Sequence, residues 1–386
     1  MRRYFLFAAE MSGDLHGSRL MEALRAQEAN PELCGVGGSR MRQQGLDCFF
    51  QMESFQVMGL SDVLKSLPSL CQLFYAVRNK ILQIEPDGVI LIDYPGFHLR
   101  LARALRKQGF KGKLIQYICP TVWAHGKRRI DLLANHYDLL LTIYPFEAAY
   151  FAPSSLKVEY IGHPLTETIH THVYDPDWSA RLGLPTHKEW IALFPGSREG
   201  EVLRHTRQQL HVAAKLKKHY PHLCFALSCA QEGLHASLLE VIKQGSLHLN
   251  EDLYLIPPGY NYELMKHCKA ALAKSGTVTL ELALHCVPTV VHYELSRLDH
   301  FFAKYILRLQ LPHYCIVNLL HGQTIFPEFM GRGLSSTDLT LELRALYSNA
   351  SRREQVITAC EDVKLQLGKK FPHQCAAMAI QELIKC

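Results

Sequence analysis

Two patterns alternate along the chain: short continuous apolar runs, and longer stretches whose apolar residues recur every three or four positions. The runs predict strands buried on both faces of a parallel sheet, and the stretches predict amphipathic helices. In the first half, strands are expected over residues 3–9, 33–36, 88–93, 114–119, 139–143 and 158–161, with helices over 12–27 and 97–108. Residues 1–9 are basic and then apolar, as in a short signal peptide, but Glu10 and Asp14 stand where a small-residue cleavage site belongs. The segment therefore reads as the first strand. The polar stretch 166–187 reads as a linker, after which the alternation restarts. Strands are expected over 190–194, 223–228, 253–256, 270–273 and 288–292, with a long helix ending near residue 218. Further helices are expected over 278–285, 337–348, 352–367 and 373–385. Such alternation predicts βαβ units, so the fold class is α/β with two halves of similar size. Ligands of these sheets lie beyond the carboxyl ends of the strands, so two facing halves would share a central cleft.

Composition narrows the function classes. The 386 residues are 48% hydrophobic and 20% charged, which excludes a disordered chain and suffices for two cores. A net charge of +6 is too mild for a nucleic-acid-binding face. It fits a protein that handles phosphates or rests on an anionic membrane equally well. No apolar run reaches the roughly 18 residues of a spanning helix. The 12 cysteines contain no C-x-x-C pair and fall mostly in apolar segments, so reduced core thiols in the cytosol are expected. The 21 histidines show no metal-ligand spacing, and neither a metal nor another cofactor is expected.

Candidate chemistry sits at strand ends. Pro195-Gly196-Ser197-Arg198-Glu199-Gly200-Glu201 joins a strand to a helix. Glycine admits close approach of a ligand, helix-start N–H groups favour an anion, and Arg198 can bind phosphate oxygens bidentately. The plain alternative is an ordinary turn with a solvated arginine. Lys274-Ser275-Gly276-Thr277 repeats the device, and Glu281 shares a helix face with Thr277, where it could accept two ribose hydroxyls. Here a simple capping motif is equally compatible. In the first half, Glu10-Met11-Ser12-Gly13-Asp14 follows the first strand; Ser12 or Asp14 could cap the helix, whereas Glu10 has no capping task. Asp93 ends an apolar strand before Tyr94-Pro95-Gly96 and is either a helix cap or a catalytic base. Lys127-Arg128-Arg129, after Trp123, is either a solvated helix start or a phosphate contact. Val63, Leu64, Leu67 and Leu70 form a stripe continued past Pro68 by Cys71 and Phe74, with Arg78 and Lys80 at its edge. It suits a core or a lipid surface, and Pro68 is expected to kink or divide its helix.

These blocks resemble the lipid-A-disaccharide synthases, inverting glycosyltransferases of family 19 with the GT-B fold. The opening AAEMSGDLHG, GVGGSRMRQQG, MESFQVMGLSDVL, IDYPGFHLRLA, CPTVWAHGKRRI, YPFEAAYF, YIGHP, LFPGSREGEV, AKSGTVTLELAL, VVHYELSRLDHFFAKYIL and YCIVNLLHGQTIFPEFMG carry the likeness almost end to end. The resemblance implies two Rossmann-like domains around a central cleft. Residues 1–165 would form the acceptor domain, 166–350 the UDP-sugar domain, and 351–386 would cross back to the first. It implies that UDP-2,3-diacylglucosamine and 2,3-diacylglucosamine 1-phosphate (lipid X) are joined through a β-1,6 linkage, releasing UDP. By the same resemblance Asp93 is the base or its orienter, with Glu10 beside it, and Ser12, Gly13 and Asp14 line the acceptor side. Gly196, Ser197, Arg198, Ser275, Gly276, Thr277, Glu281 and Asn318 serve the donor, and Val63, Leu64, Leu67 and Leu70 face the membrane. A cytoplasmic enzyme in peripheral contact with the inner membrane, a monomer or homodimer without nucleic acid, is implied. The chain departs from the family pattern at Met11, Ser39, His125-Gly126 and Gly96, where many members carry a second aspartate. Two other readings remain: another GT-B enzyme such as a UDP-N-acetylglucosamine 2-epimerase, and an inactive nucleotide-sugar-binding paralogue.

Overall fold

Seven strands pair in parallel in the first sheet: β1 (Arg3–Ala8), β2 (Glu32–Gly37), β3 (Asp47–Gln51), β4 (Gly88–Ile92), β5 (Lys113–Tyr117), β6 (Leu139–Thr142) and β7 (Lys157–Tyr160). The computed structural model describes residues 1–55, 60–125, 127–185, 188–295 and 312–385; for residues 60–67, 124–125 and 127–128 it describes the backbone alone. The strand order is β3-β2-β1-β4-β5-β6-β7, so the winding reverses between β1 and β4. A second parallel sheet contains β8 (Trp190–Phe194), β9 (Cys224–Ser228), β10 (Leu253–Ile256), β11 (Ala270–Lys274), β12 (Thr289–Glu294) and β13 (Glu328–Gly331). Its order is β10-β9-β8-β11-β12-β13, with the reversal between β8 and β11. In such sheets the crevice that receives a ligand opens at the reversal.

Contacts divide the chain into two units, residues 1–167 with 369–386 and residues 168–368. In the first, Phe5, Phe7, Leu91 and Leu114 pack on one face of the sheet and Tyr4, Leu6, Ile90 and Ile115 on the other. Each such fully buried side chain contributes about 1.5–3 kcal/mol, which explains why the strands are apolar at successive positions. The helices α1 (Met11–Gln27), α2 (Ser39–Gln43), α3 (Leu60–Ile84) and α4 (Pro95–Lys107) follow β1, β2, β3 and β4 respectively.

Several expectations change. The stretch 166–187 is not a bare linker: the helix Pro164–Thr171 enters it, and Trp178, in a short helix Trp178–Arg181, is 3% exposed in the second core. Of residues 351–386, the helix Ala350–Leu367 stays in the second unit, packed on Thr277–Leu284 and Ile316–His321. Pro372–Lys385 packs along α1 in the first. The edge strands β3 and β13 were not expected, because their apolar runs are short and bounded by polar residues or glycine. Helix α3 runs through Pro68 as one element. Val63, Leu64 and Leu67 lie outside the described side chains; Leu70 is half-buried and Cys71 exposed. Farther along, Phe74 meets Phe97 edge-on at 5.3 Å, and Val77 and Ile81 are fully buried, so that end of the stripe is core. Among the described residues, no helix is long and apolar enough to cross a membrane.

Candidate active site

At the β1/β4 reversal two carboxylates lie beyond the strand ends. Glu10 precedes α1, exposed and in extended conformation. Asp93 follows β4 with φ 53° and Tyr94 continues at φ 46°, two successive non-glycine residues in the left-handed region. Each such residue costs about 1–3 kcal/mol, so its neighbours must hold it. The Asp93 N–H donates to Tyr117 O at 2.9 Å, and the Asp93 carbonyl accepts from His98 Nδ1 at 2.7 Å and from Gln116 Nε2 at 3.2 Å. Burial lowers the His98 pKa to about 3, with the Asp93 carbonyl bond opposing it, so the ring is neutral and donates from Nδ1. Burial also raises the Asp93 carboxyl, against a Tyr94 backbone bond that lowers it. Burial, and then the charge of Glu10, raise the Tyr94 phenol, which places Glu10 within electrostatic reach of this loop.

The β8/β11 reversal brings two cations, Arg198 and Lys274, together with the carboxylates Glu201 and Glu281. A cleft of about 360 Å³ opens there, lined by Gly196, Ser197 and Arg198 after β8 and by Lys274, Gly276, Thr277 and Glu281 at and beyond β11. Ser228 and Asn261 complete the wall, joined by a 2.7 Å hydrogen bond. Gly196 has φ 105°, and a Cβ there would lie 3.2 Å from Lys274 Cδ, so glycine meets both a backbone and a steric demand. Arg198 precedes the helix Glu199–His219 with its side chain 82% exposed and its guanidinium 3.8 Å from Glu201. Glu201 also holds Lys274 Nζ at 2.8 Å and accepts from the Tyr293 hydroxyl at 3.0 Å. Burial pushes the Glu201 carboxyl up, but Lys274, Tyr293 and Arg198 together outweigh it, and the net shift is downward. Glu281 accepts from the Tyr262 hydroxyl at 3.1 Å; burial raises its carboxyl, opposed by that bond.

A model of the lipid-A-disaccharide synthetases matches residues 4–382. The chain belongs to the lipid-A-disaccharide synthetase family. It is 40% identical over 362 residues to a lipid-A-disaccharide synthase of Chlamydia trachomatis serovar D, covering 93% of this chain and 59% of that protein. The chain thus spans less than two thirds of the chlamydial relative's length. A Pseudomonas aeruginosa synthase is 36% identical over 358 residues, covering 92% of each. Among solved structures, a Neisseria meningitidis UDP-GlcNAc 2-epimerase bound to UDP-GlcNAc superimposes with TM-score 0.64 at 11% identity, covering 100% of both chains. A putative UDP-N-acetylglucosamine 2-epimerase from Listeria monocytogenes gives 0.61 at 13%, covering 100% of this chain and 95% of the other. Identities this low speak to the fold alone, which is GT-B with two Rossmann-like domains.

In this synthetase-family chain the second unit brings Gly196, Ser197, Arg198, Gly276, Thr277 and Glu281 together around one cleft. Ser275 is not in its lining; its N–H donates to His292 O at 2.9 Å and ties β11 to β12. Asn318 lies outside that lining as well. It is fully buried, donating to Phe326 O at 2.8 Å and accepting from the Ile325 and Phe326 N–H groups, both at 2.9 Å. Asp14, 3% exposed, is likewise engaged: its carboxylate accepts from Gly38, Arg40 and Met41 N–H at 2.7, 3.0 and 3.2 Å, capping α2. A Cβ on Gly38 would come within 2.6 Å of that carboxylate, so the glycine of the GVGGSRM block serves this cap. Ser12 is exposed at the start of α1 and Gly13 is buried against Ala8. The side chains of Lys127 and Arg128, and residues 296–307 of the VVHYELSRLDHFFAKYIL block, lie outside the described residues. Lys274, Glu201, His98 and Gln116 were not singled out from sequence. Lys274 and Glu201 stood inside the two recognised motifs without a role of their own; Gln116 is a lone polar residue among apolar neighbours, a signal easily passed over. Among the described residues no group of His, Cys, Asp and Glu could hold a metal ion.

Proposed function

We propose that this chain is an inverting glycosyltransferase joining UDP-2,3-diacylglucosamine to 2,3-diacylglucosamine 1-phosphate, giving the β-1,6-linked disaccharide 1-phosphate and UDP. The observation that carries this is the cleft at the β8/β11 reversal, where Arg198 and Lys274 stand beside two helix starts. Cations and helix N-termini stabilise a diphosphate in the ground state and the charge it gains on leaving. Gly196, Ser197, Gly276 and Thr277 offer backbone and hydroxyl donors to the phosphates, and Glu281 is assigned the ribose hydroxyls. Glu201 keeps Lys274 at the cleft wall, where the ammonium is assigned to the diphosphate together with Arg198.

The acceptor chemistry falls to Asp93. Its carboxylate takes the proton of the acceptor 6-hydroxyl as that oxygen attacks the donor anomeric carbon. The bond from that carbon to the diphosphate oxygen breaks in the same displacement, and UDP leaves with the electron pair. A raised carboxyl pKa suits this role because it makes Asp93 a stronger base. Glu10, after the neighbouring strand β1, is assigned to hold the acceptor, with Ser12 and Gly13 at the helix start. Contact with an inner-membrane surface from the cytoplasmic side is assigned to α3 around Val63, Leu64, Leu67 and Leu70. The test is to incubate the protein with both diacyl substrates and assay UDP and the disaccharide. Formation of both in equal amounts is expected; release of UDP without disaccharide, or neither product, contradicts the proposal. A 2-epimerase would instead convert UDP-N-acetylglucosamine without any acceptor.

A further inference from the structure

Gln116 is the polar exception in β5. It is fully buried, and its register partners on either side are Leu91 of β4 and Leu140 of β6. An amide placed there is costly unless its hydrogen bonds are made. Its Nε2 donates to Asp93 O and to Ile118 O, both at 3.2 Å. Those two carbonyls belong to the residues that end β4 and β5, and both residues are strained: Asp93 has φ 53° and Ile118 φ 72°. A β-branched residue at positive φ is a genuine outlier. The backbone bond from Asp93 N–H to Tyr117 O joins the two strand ends, and this one side chain adds a tie to both strained carbonyls. His98 adds a second tie from α4 through the same Asp93 carbonyl.

We propose that Gln116 is a positioning residue for the reaction, clamping the Asp93 and Ile118 carbonyls so that the Asp93 carboxyl keeps its aim. The inference rests on the assignment of Asp93 as base. Gln116 touches the backbone of Asp93 and acts through it. The strain at Asp93 and Tyr94 is what the clamp sustains: with the amide removed, the β4 end gains an easier route to ordinary backbone angles, and the carboxyl swings with it. A displacement of this kind lowers turnover more than it lowers binding.

The test compares Gln116→Met, which keeps the volume and removes the donor, with Gln116→Asn, which keeps an amide but shortens its reach. Both are assayed well below their melting temperatures. The expected result is a kcat at least tenfold below wild type in both, with the KM values of donor and acceptor within twofold and UDP binding unchanged. A purely structural role would lower the melting temperature and leave kcat in place. Wild-type kcat in either folded variant overturns the proposal. Failure of both to fold assigns Gln116 to sheet assembly rather than to Asp93, and overturns it too. Failure of wild-type protein to form disaccharide strikes the assigned reaction instead, and is read from the same assay before any variant is compared.

Discussion

The two winding reversals are built on the same strand order yet present opposite chemistry. At β1/β4 the strand ends carry Glu10 and Asp93, and the backbone turns through two left-handed non-glycine residues. At β8/β11 they carry Arg198 and Lys274, and positive φ is given to Gly196, which accepts it without strain. Strain is thus stored beside the proposed base and avoided beside the proposed anion site. The scaffold supplies the place, and the few residues after each strand decide what can happen there.

The largest effect is expected from Asp93→Asn. If the first reversal supplies the base, kcat falls by about 10³-fold, within the range for loss of a general base. Stability should move the other way. Burial raises the folded-state pKa of Asp93 above its unfolded value, so folding favours the protonated carboxyl, and ionising it costs stability as pH rises through the folded pKa. Asp93→Asn should therefore melt above wild type at neutral pH, and the gap should close below about pH 3, where both states are protonated. A calorimetric pH series checks the sign. Next comes Arg198→Ala, for which UDP affinity should fall about ten- to hundredfold, as for loss of a charged hydrogen-bond donor worth about 1.5–3 kcal/mol; an unchanged titration removes Arg198 from the donor site. Asp14→Ala should lower stability by about 1–2 kcal/mol through loss of the α2 cap. Its acceptor KM should barely move, and a large KM effect would return Asp14 to substrate contact. An effect of similar size belongs to Gly196→Ala, destabilising by about 1–2 kcal/mol from the left-handed backbone, with weaker UDP binding because Lys274 is displaced.

Much of this was legible in the sequence, and the reasons are physical. Buried parallel strands read as continuous apolar runs, so β4, β8 and β10 stood out within a residue of their ends. The strands β3 and β13 did not, since Asp47–Gln51 and Glu328–Gly331 hold only short apolar runs bounded by polar residues or glycine, whereas the edge strand β10 is apolar throughout. Trp178 was lost in a polar stretch because its burial depends on residues far away in sequence. The β8/β11 cleft was readable because glycine, hydroxyl and cation cluster within a few positions of each strand end. Asp14 and Asn318 show what a motif leaves open. A motif shows which residue type is needed, and their carboxylate and amide are needed for backbone capping. Gln116 and His98 act through carbonyl contacts that form only when β4, β5 and α4 pack together, so no local pattern marks them.

The division of labour between the two reversals is tested most directly by titrating UDP into Asp93→Asn and wild-type protein by calorimetry, with disaccharide formation measured on the same samples. The predicted result is a UDP dissociation constant within twofold of wild type alongside turnover reduced about a thousandfold. Loss of UDP binding in the variant, or turnover near wild type, would contradict the account.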